Sequence, residues 1–444
     1  MDAFVIQGGK QLKGTIRVNG SKNASLPLMA AALLTNQPVV LEGVPALADI
    51  NNMKRLLSEL GCGSTETASP RRMTLQSKNE TAHAARYDIV RTMRASICVL
   101  GPLLARRGMA RVSMPGGCSI GDRPVDLHLK GLAALGAEIS LESGDIVTRA
   151  PRGGRLKGAR IFLGGAFGPT VLGTANVMSA AVLAEGITVI ESAACEPEVE
   201  DLAVMLNSMG AHITGAGTPR IVIEGVKELH GTTHSVIPDR IEAGTYIMAA
   251  AATNGHVTIE NCPIDDLLAA CERLESAGVH VRCREEGLQR RTRATVEVTS
   301  DRRLRSTQIT TQPHPGFPTD LQAQFMALLT LADGNSIITE RIYPQRFLHA
   351  AELTRMGAQI HHQSGTAVVS GVKELIGAPV MASDLRASAS LILAGLAARG
   401  RTTVLRVYHL DRGYERMEER LKAVGADIER IDDKDLPQNG SGGD

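Results

Sequence analysis

The sequence contains no tryptophan, and aromatic residues make up only 2% of its 444 residues. It also lacks an excess of either charge, because 48 Lys and Arg residues face 47 Asp and Glu residues, for a net charge of +1. Proteins that bind nucleic acids usually combine a basic surface with aromatic side chains on which bases stack. We therefore predict no nucleic-acid partner.

Long hydrophobic runs are also missing. Apolar stretches such as Leu26 to Leu34 and Leu391 to Leu396 are much shorter than the roughly 20 residues that a bilayer requires. The first ten residues have no basic stretch followed by an apolar one, which a secretory signal would show. We expect no membrane insertion and a cytoplasmic location.

The seven cysteines form no C-x-x-C pair and have no histidine spacing typical of zinc sites. Fingerprints for ATP, NAD and catalytic zinc are absent as well. Most of these cysteines are expected to be reduced and buried. Cys118 differs, because the surrounding glycines and prolines predict a loop. Arg123 would lower the pKa of the Cys118 thiol and burial would raise it, so the sequence leaves the direction open.

A repeated pattern organises the chain: an amphipathic helix, a glycine and a strand-like segment. Six copies at spacings of roughly 70 to 80 residues predict two domains of three units each. Several Ala-rich helices are apolar all round, so we expect helices inside and sheets outside. The six glycines are Gly61, Gly136, Gly210, Gly278, Gly357 and Gly425.

Basic residues recur where the Ala-rich helices begin, and these are places where free backbone amides already favour anions. Lys22, Arg94 and Arg386 have this position, so the sequence predicts a strongly anionic substrate. Two carboxylates, Asp239 and Asp320, precede helical runs. Each fits a helix cap as well as an acid–base role, and spacing does not decide between them.

The chain resembles the UDP-N-acetylglucosamine enolpyruvyl transferases, or 1-carboxyvinyltransferases, from about residue 1 to 431. The resemblance rests on Gly20-Ser-Lys-Asn-Ala, Thr92-Met-Arg-Ala-Ser, Pro115-Gly-Gly-Cys-Ser-Ile-Gly, Arg123-Pro-Val-Asp-Leu-His, Pro238-Asp-Arg-Ile-Glu, Pro313-His-Pro-Gly-Phe-Pro-Thr-Asp, Asp384-Leu-Arg-Ala-Ser-Ala-Ser and Tyr408-His-Leu-Asp-Arg-Gly-Tyr-Glu-Arg.

The fold implied by this resemblance is α/β: two inside-out domains, each of three repeated units with sheets outside and helices buried. We place one domain, with the Cys118 loop, at residues 20–236 and the second at residues 1–19 and 237–431. Residues 432–444 have the composition of a disordered tail.

The implied activity transfers the enolpyruvyl group of phosphoenolpyruvate to the 3-hydroxyl of UDP-N-acetylglucosamine, the first committed step of peptidoglycan synthesis. Phosphate leaves from a tetrahedral intermediate, and no metal or organic cofactor is required. The two small molecules are the predicted partners; the sequence identifies no protein partner. The resemblance makes Cys118 the general acid, a residue that can bond to phosphoenolpyruvate and the site that fosfomycin alkylates.

The resemblance also implies roles for other residues. Asp320 would bind the sugar hydroxyl and accept its proton. Cationic side chains, including the catalytic Lys22, would hold the phosphate and carboxylate of phosphoenolpyruvate and stabilise the intermediate. These are Lys22, Arg123, Arg346 and Arg412, with Asn23 and Arg386 beside them. Arg94 and the segment Arg123, Pro124, Val125, Asp126 and Leu127 would contact the sugar nucleotide, and Ile342 is a further expected substrate-binding residue.

One segment departs from the family pattern. Where relatives carry a Ser-Val-Gly turn against the diphosphate, this chain has a segment, Gly164 to Thr170, that is one residue shorter. An amide of Gly168 and the hydroxyl of Thr170 would still supply contacts. Three alternatives stay open: another uridine nucleotide as acceptor, a shikimate-3-phosphate enolpyruvyl transferase, which normally lacks the loop cysteine, and an inactive binding scaffold.

Overall fold

The computed structural model describes residues 2–67, 71–114, 125–151, 154–285, 290–301 and 303–435. The predicted site residues Cys118, Arg123 and Pro124 lie outside these ranges. Of the predicted tail, Asp432 ends the last strand and residues 433–435 form a 3-10 turn, while the rest lies outside the described residues.

The described α-helices are α1 (Lys22–Ala31), α2 (Ala48–Glu59), α3 (Tyr87–Val90), α4 (Leu100–Arg107), α5 (Asp126–Ala134), α6 (Val171–Ala181), α7 (Pro197–Ser208), α8 (Arg240–Ala252), α9 (Leu268–Ser276), α10 (Gln322–Leu329), α11 (Leu348–Arg355), α12 (Leu385–Ala397) and α13 (Met417–Ala423).

The described strands are β1 (Asp2–Gln7), β2 (Lys13–Arg17), β3 (Val39–Glu42), β4 (Cys62–Thr67), β5 (Arg72–Ser77), β6 (Ala84–Ala85), β7 (Met109–Ser113), β8 (Glu138–Glu142), β9 (Asp145–Arg149), β10 (Arg160–Phe162), β11 (Gly164–Gly165), β12 (Gly168–Pro169), β13 (Ile187–Glu191), β14 (His212–Thr214), β15 (Arg220–Glu224), β16 (Thr232–Ser235), β17 (His256–Cys262), β18 (Val279–Cys283), β19 (Ala294–Ser300), β20 (Leu304–Arg305), β21 (Gln308–Thr310), β22 (Ala332–Asp333), β23 (Asn335–Thr339), β24 (Gln359–Gln363), β25 (Thr366–Ser370), β26 (Pro379–Met381), β27 (Arg401–Leu405) and β28 (Asp427–Asp432).

Six four-stranded sheets in the described ranges share one topology. In each sheet the first two strands are parallel, and the remaining pairs are antiparallel. The repeat predicted from the six glycines is therefore confirmed. All six glycines have φ between 74° and 100°, the left-handed conformation that ends a helix at low cost only with glycine. The sheets are β16-β3-β5-β4, β6-β7-β9-β8, β10-β13-β15-β14, β2-β17-β19-β18, β21-β23-β25-β24 and β26-β27-β1-β28.

The Ala-rich helices lie inside and the sheets cover them, as predicted. Nearly every residue of α1, α6, α8, α10 and α12 is buried, whereas strands such as β5 and β15 alternate buried and more exposed side chains. This alternation is typical of a sheet with one face on the core. No described helix is both long and apolar enough to cross a membrane.

Buried hydrophobic side chains form two separate clusters. One draws on residues 24–236, and the other on residues 4–18 and 241–428. The predicted domain limits fall in the gaps between the clusters, near residues 20 and 237. Those limits themselves remain a prediction.

Candidate active site

Asp320 lies in a single 3-10 turn, Thr319–Leu321, immediately before the buried helix α10. Arg346 Nη1 donates to its Oδ1 at 2.8 Å, and Arg386 Nη2 donates to its Oδ2 at 2.8 Å. The side chain of Asp320 stays 26% exposed, while those of the two arginines are only 6% and 4% exposed. The two arginines therefore hold the Asp320 carboxylate in place while part of its side chain stays accessible.

The two arginines decide the charge of Asp320. Burial alone would raise the pKa of its carboxyl, but Arg386 and Arg346 outweigh burial and hold the pKa well below its usual range. Asp320 is consequently ionised at neutral pH. Both carboxylate oxygens accept charge-assisted hydrogen bonds, which are stronger and more directional than bonds between neutral groups.

Local structure orients each arginine. Arg386 is in the first turn of α12, where Asp384 caps the helix by accepting from the amides of Arg386 and Ala387. Such a cap replaces the hydrogen bonds that a helix N-terminus lacks. On the other side, Glu340 accepts from the amides of Ile342 and Tyr343 at 2.8 and 2.9 Å. These contacts hold the segment that carries the predicted residues Ile342 and Arg346.

A second charged group brings together side chains from the two halves of the chain that carry the hydrophobic clusters. Asp49 in α2 is 2% exposed by side chain, and its Oδ2 lies 3.2 Å from Lys22 Nζ. Arg412 Nε donates to Oδ1 of the same carboxylate at 3.0 Å. Burial, together with Arg386 and Arg412, lowers the pKa of Lys22 against the opposing effect of Asp49. Asp49 thus contacts two of the four cations that the resemblance assigns to phosphoenolpyruvate.

Lys22 and Asn23 open helix α1, which Ser21 caps, and Arg94 opens the 3-10 helix Arg94–Val99. Helix-opening positions were predicted for Lys22 and Arg94. Asp239 caps α8 by accepting from two amides of its first turn. Capping describes the contacts of Asp239 Oδ1, while Oδ2 accepts from the amide of Lys22 at 3.1 Å. Asp320 instead binds two guanidinium groups.

The remaining predicted residues on the nucleotide side lie close to one another. Val125, Asp126 and Leu127 form the start of α5, and a carbon added at Gly165 would lie 3.0 Å from Leu127 Cδ1. A carbon added at Gly168 would lie 2.9 Å from Pro313 Cγ. The short hairpin β11–β12 is therefore packed between α5 and the segment leading to Asp320. Thr170 uses its hydroxyl to accept from Gly173 N, capping α6.

Sequence reasoning missed several residues of this site. Asp49 carried no recognisable local pattern, because its partners Lys22 and Arg412 are distant in sequence. Glu340 was given no role, although it accepts from amides two and three residues further along the chain. Tyr414 stood inside the quoted segment from Tyr408 to Arg416 but was given no role. A buried ion pair between Glu198 of α7 and Arg240 of α8, at 3.1 Å, was also missed.

Within the described residues, no group of three or more His, Cys, Asp or Glu side chains is arranged to hold a metal ion. What the geometry offers is an ionised carboxylate between two guanidinium groups, and a buried lysine with a third guanidinium nearby. This arrangement suits the binding of an anionic substrate beside an ionised carboxylate.

Comparison with known proteins identifies the family of the chain. The family model of EPSP synthase (3-phosphoshikimate 1-carboxyvinyltransferase) matches residues 6–421. The UDP-N-acetylglucosamine 1-carboxyvinyltransferase of Gluconacetobacter diazotrophicus is 54% identical, covering 97% of this chain and 100% of the relative. That of Methylacidiphilum infernorum is 51% identical, covering 97% and 99%. This chain belongs to the UDP-N-acetylglucosamine 1-carboxyvinyltransferases.

Solved structures show the same fold for this carboxyvinyltransferase. The enolpyruvyl transferase NikO from Streptomyces tendae superposes with a TM-score of 0.85 at 25% identity, covering 97% of this chain and 99% of that one. An EPSP synthase from Acinetobacter baumannii gives a TM-score of 0.75 at 19% identity, covering 97% and 100%. The predicted fold class, two inside-out α/β halves of three repeats, is confirmed.

Proposed function

We propose that this chain transfers the enolpyruvyl group of phosphoenolpyruvate to the 3-hydroxyl of UDP-N-acetylglucosamine and releases phosphate. The observation that carries the proposal is the ionised, partly exposed Asp320 between Arg346 and Arg386, in a chain whose relatives are named for this reaction. The reaction would be the first committed step of peptidoglycan synthesis.

The proposed chemistry has two stages. Cys118 gives a proton to the methylene carbon of phosphoenolpyruvate, and the sugar oxygen bonds to the adjacent carbon while Asp320 accepts the hydroxyl proton. The tetrahedral intermediate then returns a proton from its methyl group to the Cys118 thiolate as the carbon–oxygen bond to the phosphate breaks. The proton held by Asp320 passes to the departing phosphate, which restores both residues. The products are the enolpyruvyl ether and phosphate, so atoms and charges balance.

A low pKa for Asp320 fits this role. A hydroxyl that adds to a cationic carbon becomes strongly acidic as the bond forms, so a weak base is sufficient to remove its proton. Asp320 is also ionised before the sugar arrives, because Arg346 and Arg386 lower its pKa. A fixed, charged acceptor needs little rearrangement in the transition state.

Lys22 and Arg412 supply the positive charge for phosphoenolpyruvate. Lys22 is 12% exposed and Arg412 35% exposed by side chain, and both already lie around one carboxylate, that of Asp49. An anionic group of the substrate would share these cations or replace Asp49 as their partner.

The proposal places the reaction in the cytoplasm, since the cysteines among the described residues are all free, as a reducing compartment favours.

The experiment measures phosphate release from phosphoenolpyruvate with and without UDP-N-acetylglucosamine, before and after fosfomycin treatment, with the adduct mapped by mass spectrometry. Acceptor-dependent release that a single adduct on Cys118 blocks is the expected result. The Cys118→Ser variant should turn over poorly and form no adduct. Phosphate release only with another uridine nucleotide would mean that the acceptor is not UDP-N-acetylglucosamine. Absence of phosphate release with every acceptor would favour the inactive binding scaffold.

A further inference from the structure

The hydroxyl of Tyr414 lies at the centre of a polar network that is buried among the helices of the second hydrophobic cluster. Its oxygen is 2.8 Å from Thr245 Oγ1, 3.2 Å from Gln324 Nε2 and 3.2 Å from Arg386 Nη1. Tyr414 and Thr245 are at most 1% exposed, and so is Gln324. These residues come from α8, α10, α12 and the segment before α13.

The direction of each hydrogen bond in this network follows from chemistry. A guanidinium group and a carboxamide nitrogen can only donate, so the Tyr414 oxygen accepts from both Arg386 and Gln324. Its own proton must therefore go to Thr245 Oγ1. Thr245 in turn donates to the carbonyl of Ile241 at 2.8 Å. The phenolic oxygen is thus held as an acceptor that faces Arg386.

Arg386 uses two separate nitrogens in this arrangement. Nη1 donates to Tyr414, and Nη2 donates to Asp320 Oδ2 at 2.8 Å. Two contacts at different nitrogens fix the plane of a guanidinium group, which a single contact cannot do. Gln324 Nε2 also donates to the backbone carbonyl of Asp320 at 3.0 Å. The same network therefore holds both the turn that carries Asp320 and the arginine that binds its carboxylate.

We infer that Tyr414 is a positioning residue for the proposed reaction: its hydroxyl fixes the Arg386 guanidinium and thereby the orientation of the Asp320 carboxylate. The inference rests on the proposed function of Asp320. The charged groups that face Asp320 among the described residues are Arg346 and Arg386 in direct contact, with Arg240 of α8 and Lys22 of α1 at longer range.

The chain provides a matched control. Tyr246, the residue after Thr245 in α8, is also 1% exposed, and its buried hydroxyl has no hydrogen-bond partner among the described residues. Tyr414→Phe and Tyr246→Phe each remove one buried phenolic oxygen and keep the ring. The ring of Tyr414, 5.6 Å from Arg386 Cζ, would remain beside the guanidinium.

The test compares the pH profiles of kcat for the two variants and the wild-type chain. We expect Tyr414→Phe to lower kcat about tenfold, because a small loss of orientation is costly at a reacting centre. Its acidic limb should move to higher pH, since a less fixed Arg386 stabilises the Asp320 carboxylate less. Tyr246→Phe should stay within about twofold of the wild type, since no partner is lost. If Tyr414 had only a structural role, Tyr414→Phe would lower kcat by the same factor at every pH and leave the acidic limb where it is. That result would overturn the inference.

Two further variants keep the inference testable. Tyr414→Phe should add little to Arg386→Lys if it acts through Arg386, whereas additive losses would count against it. If Tyr414→Phe fails to fold, Thr245→Val takes its place, because it removes the acceptor of the Tyr414 proton. If the wild-type chain has no turnover, the proposed function fails, and crystal structures decide the inference: an unchanged Arg386 contact to Asp320 in Tyr414→Phe would refute it.

Discussion

Asp320 in the candidate site and Glu242 in helix α8 are carboxylates with opposite behaviour. The side chain of Asp320 is 26% exposed, whereas Glu242 as a whole residue is only 3% exposed. The pKa of Asp320 nevertheless lies well below its usual range, with burial opposed by Arg386 and Arg346. Burial raises the pKa of Glu242 to about 7 against the attraction of Arg420.

The difference comes from what donates to each carboxylate. Asp320 receives two guanidinium contacts, whereas Glu242 accepts from the amide and the side-chain nitrogen of Asn19, at 2.7 and 3.1 Å. The nearby Arg420 donates to Asn19 Oδ1 and to backbone carbonyls instead. In these two carboxylates, direct charged donors and not burial account for the opposite directions of the pKa shifts. Of the pair, only Asp320 accepts from two guanidinium groups.

The largest expected effect comes from Asp320→Asn, which keeps the shape of the side chain but removes its charge. Turnover should fall by about a thousandfold, as for loss of a proton acceptor. Two nearly buried arginines would lose their counter-ion, so we also expect a loss of about 3 kcal/mol in the free energy of unfolding. Steady-state kinetics and urea denaturation measure the two effects.

The matched control is Asp333→Asn, whose side chain is 64% exposed and 3.4 Å from Arg303. It should change neither turnover nor stability noticeably, because exposed ion pairs contribute little. Phosphoenolpyruvate should still bind Asp320→Asn through Lys22 and Arg412, which calorimetry can measure. Near-normal turnover in Asp320→Asn would remove this residue from the proposed mechanism.

The sequence predicted the fold better than the details of the site. The repeat glycines and the apolar helices depend on local conformation and periodicity, and both are readable along the chain. A site role for Asp320 was predicted from a family motif, and that role stays a prediction. The two arginine contacts of Asp320 were not predicted, since residues 320, 346 and 386 meet only after the helices pack. Asp49, Tyr414 and Gln324 gained their contacts in the same way.

Glu242→Gln gives the intermediate effect and tests the other half of the comparison. A carboxyl whose folded pKa is raised favours folding below the unfolded pKa, and this contribution is lost as pH rises through the folded value. Raising the pH from about 5 to about 8 should therefore lower the free energy of unfolding by about 2 to 3 kcal/mol through Glu242. Urea denaturation at both pH values should show this decrease in the wild-type chain and a smaller one in Glu242→Gln. Equal pH dependence in both proteins would mean that Glu242 is ionised as readily as an exposed glutamate.

The smallest expected effect is that of Asp49→Asn, which tests a carboxylate bound to two cations that the proposed substrate also needs. Burial and the repulsion of Arg386 and Arg412 lower the pKa of Lys22, whereas Asp49 and, to a smaller extent, Asp320 raise it. The neutral replacement of Asp49 should lower the Lys22 pKa further, so the alkaline limb of kcat/KM for phosphoenolpyruvate should move to lower pH. We expect a loss of about tenfold in kcat/KM at neutral pH, as Lys22 and Arg412 lose the group that orients them. A rise in kcat/KM would instead show that Asp49 competes with the substrate for Lys22 and Arg412. The two cations would then exchange Asp49 for the substrate during binding, whereas Asp320 would keep its two arginines throughout.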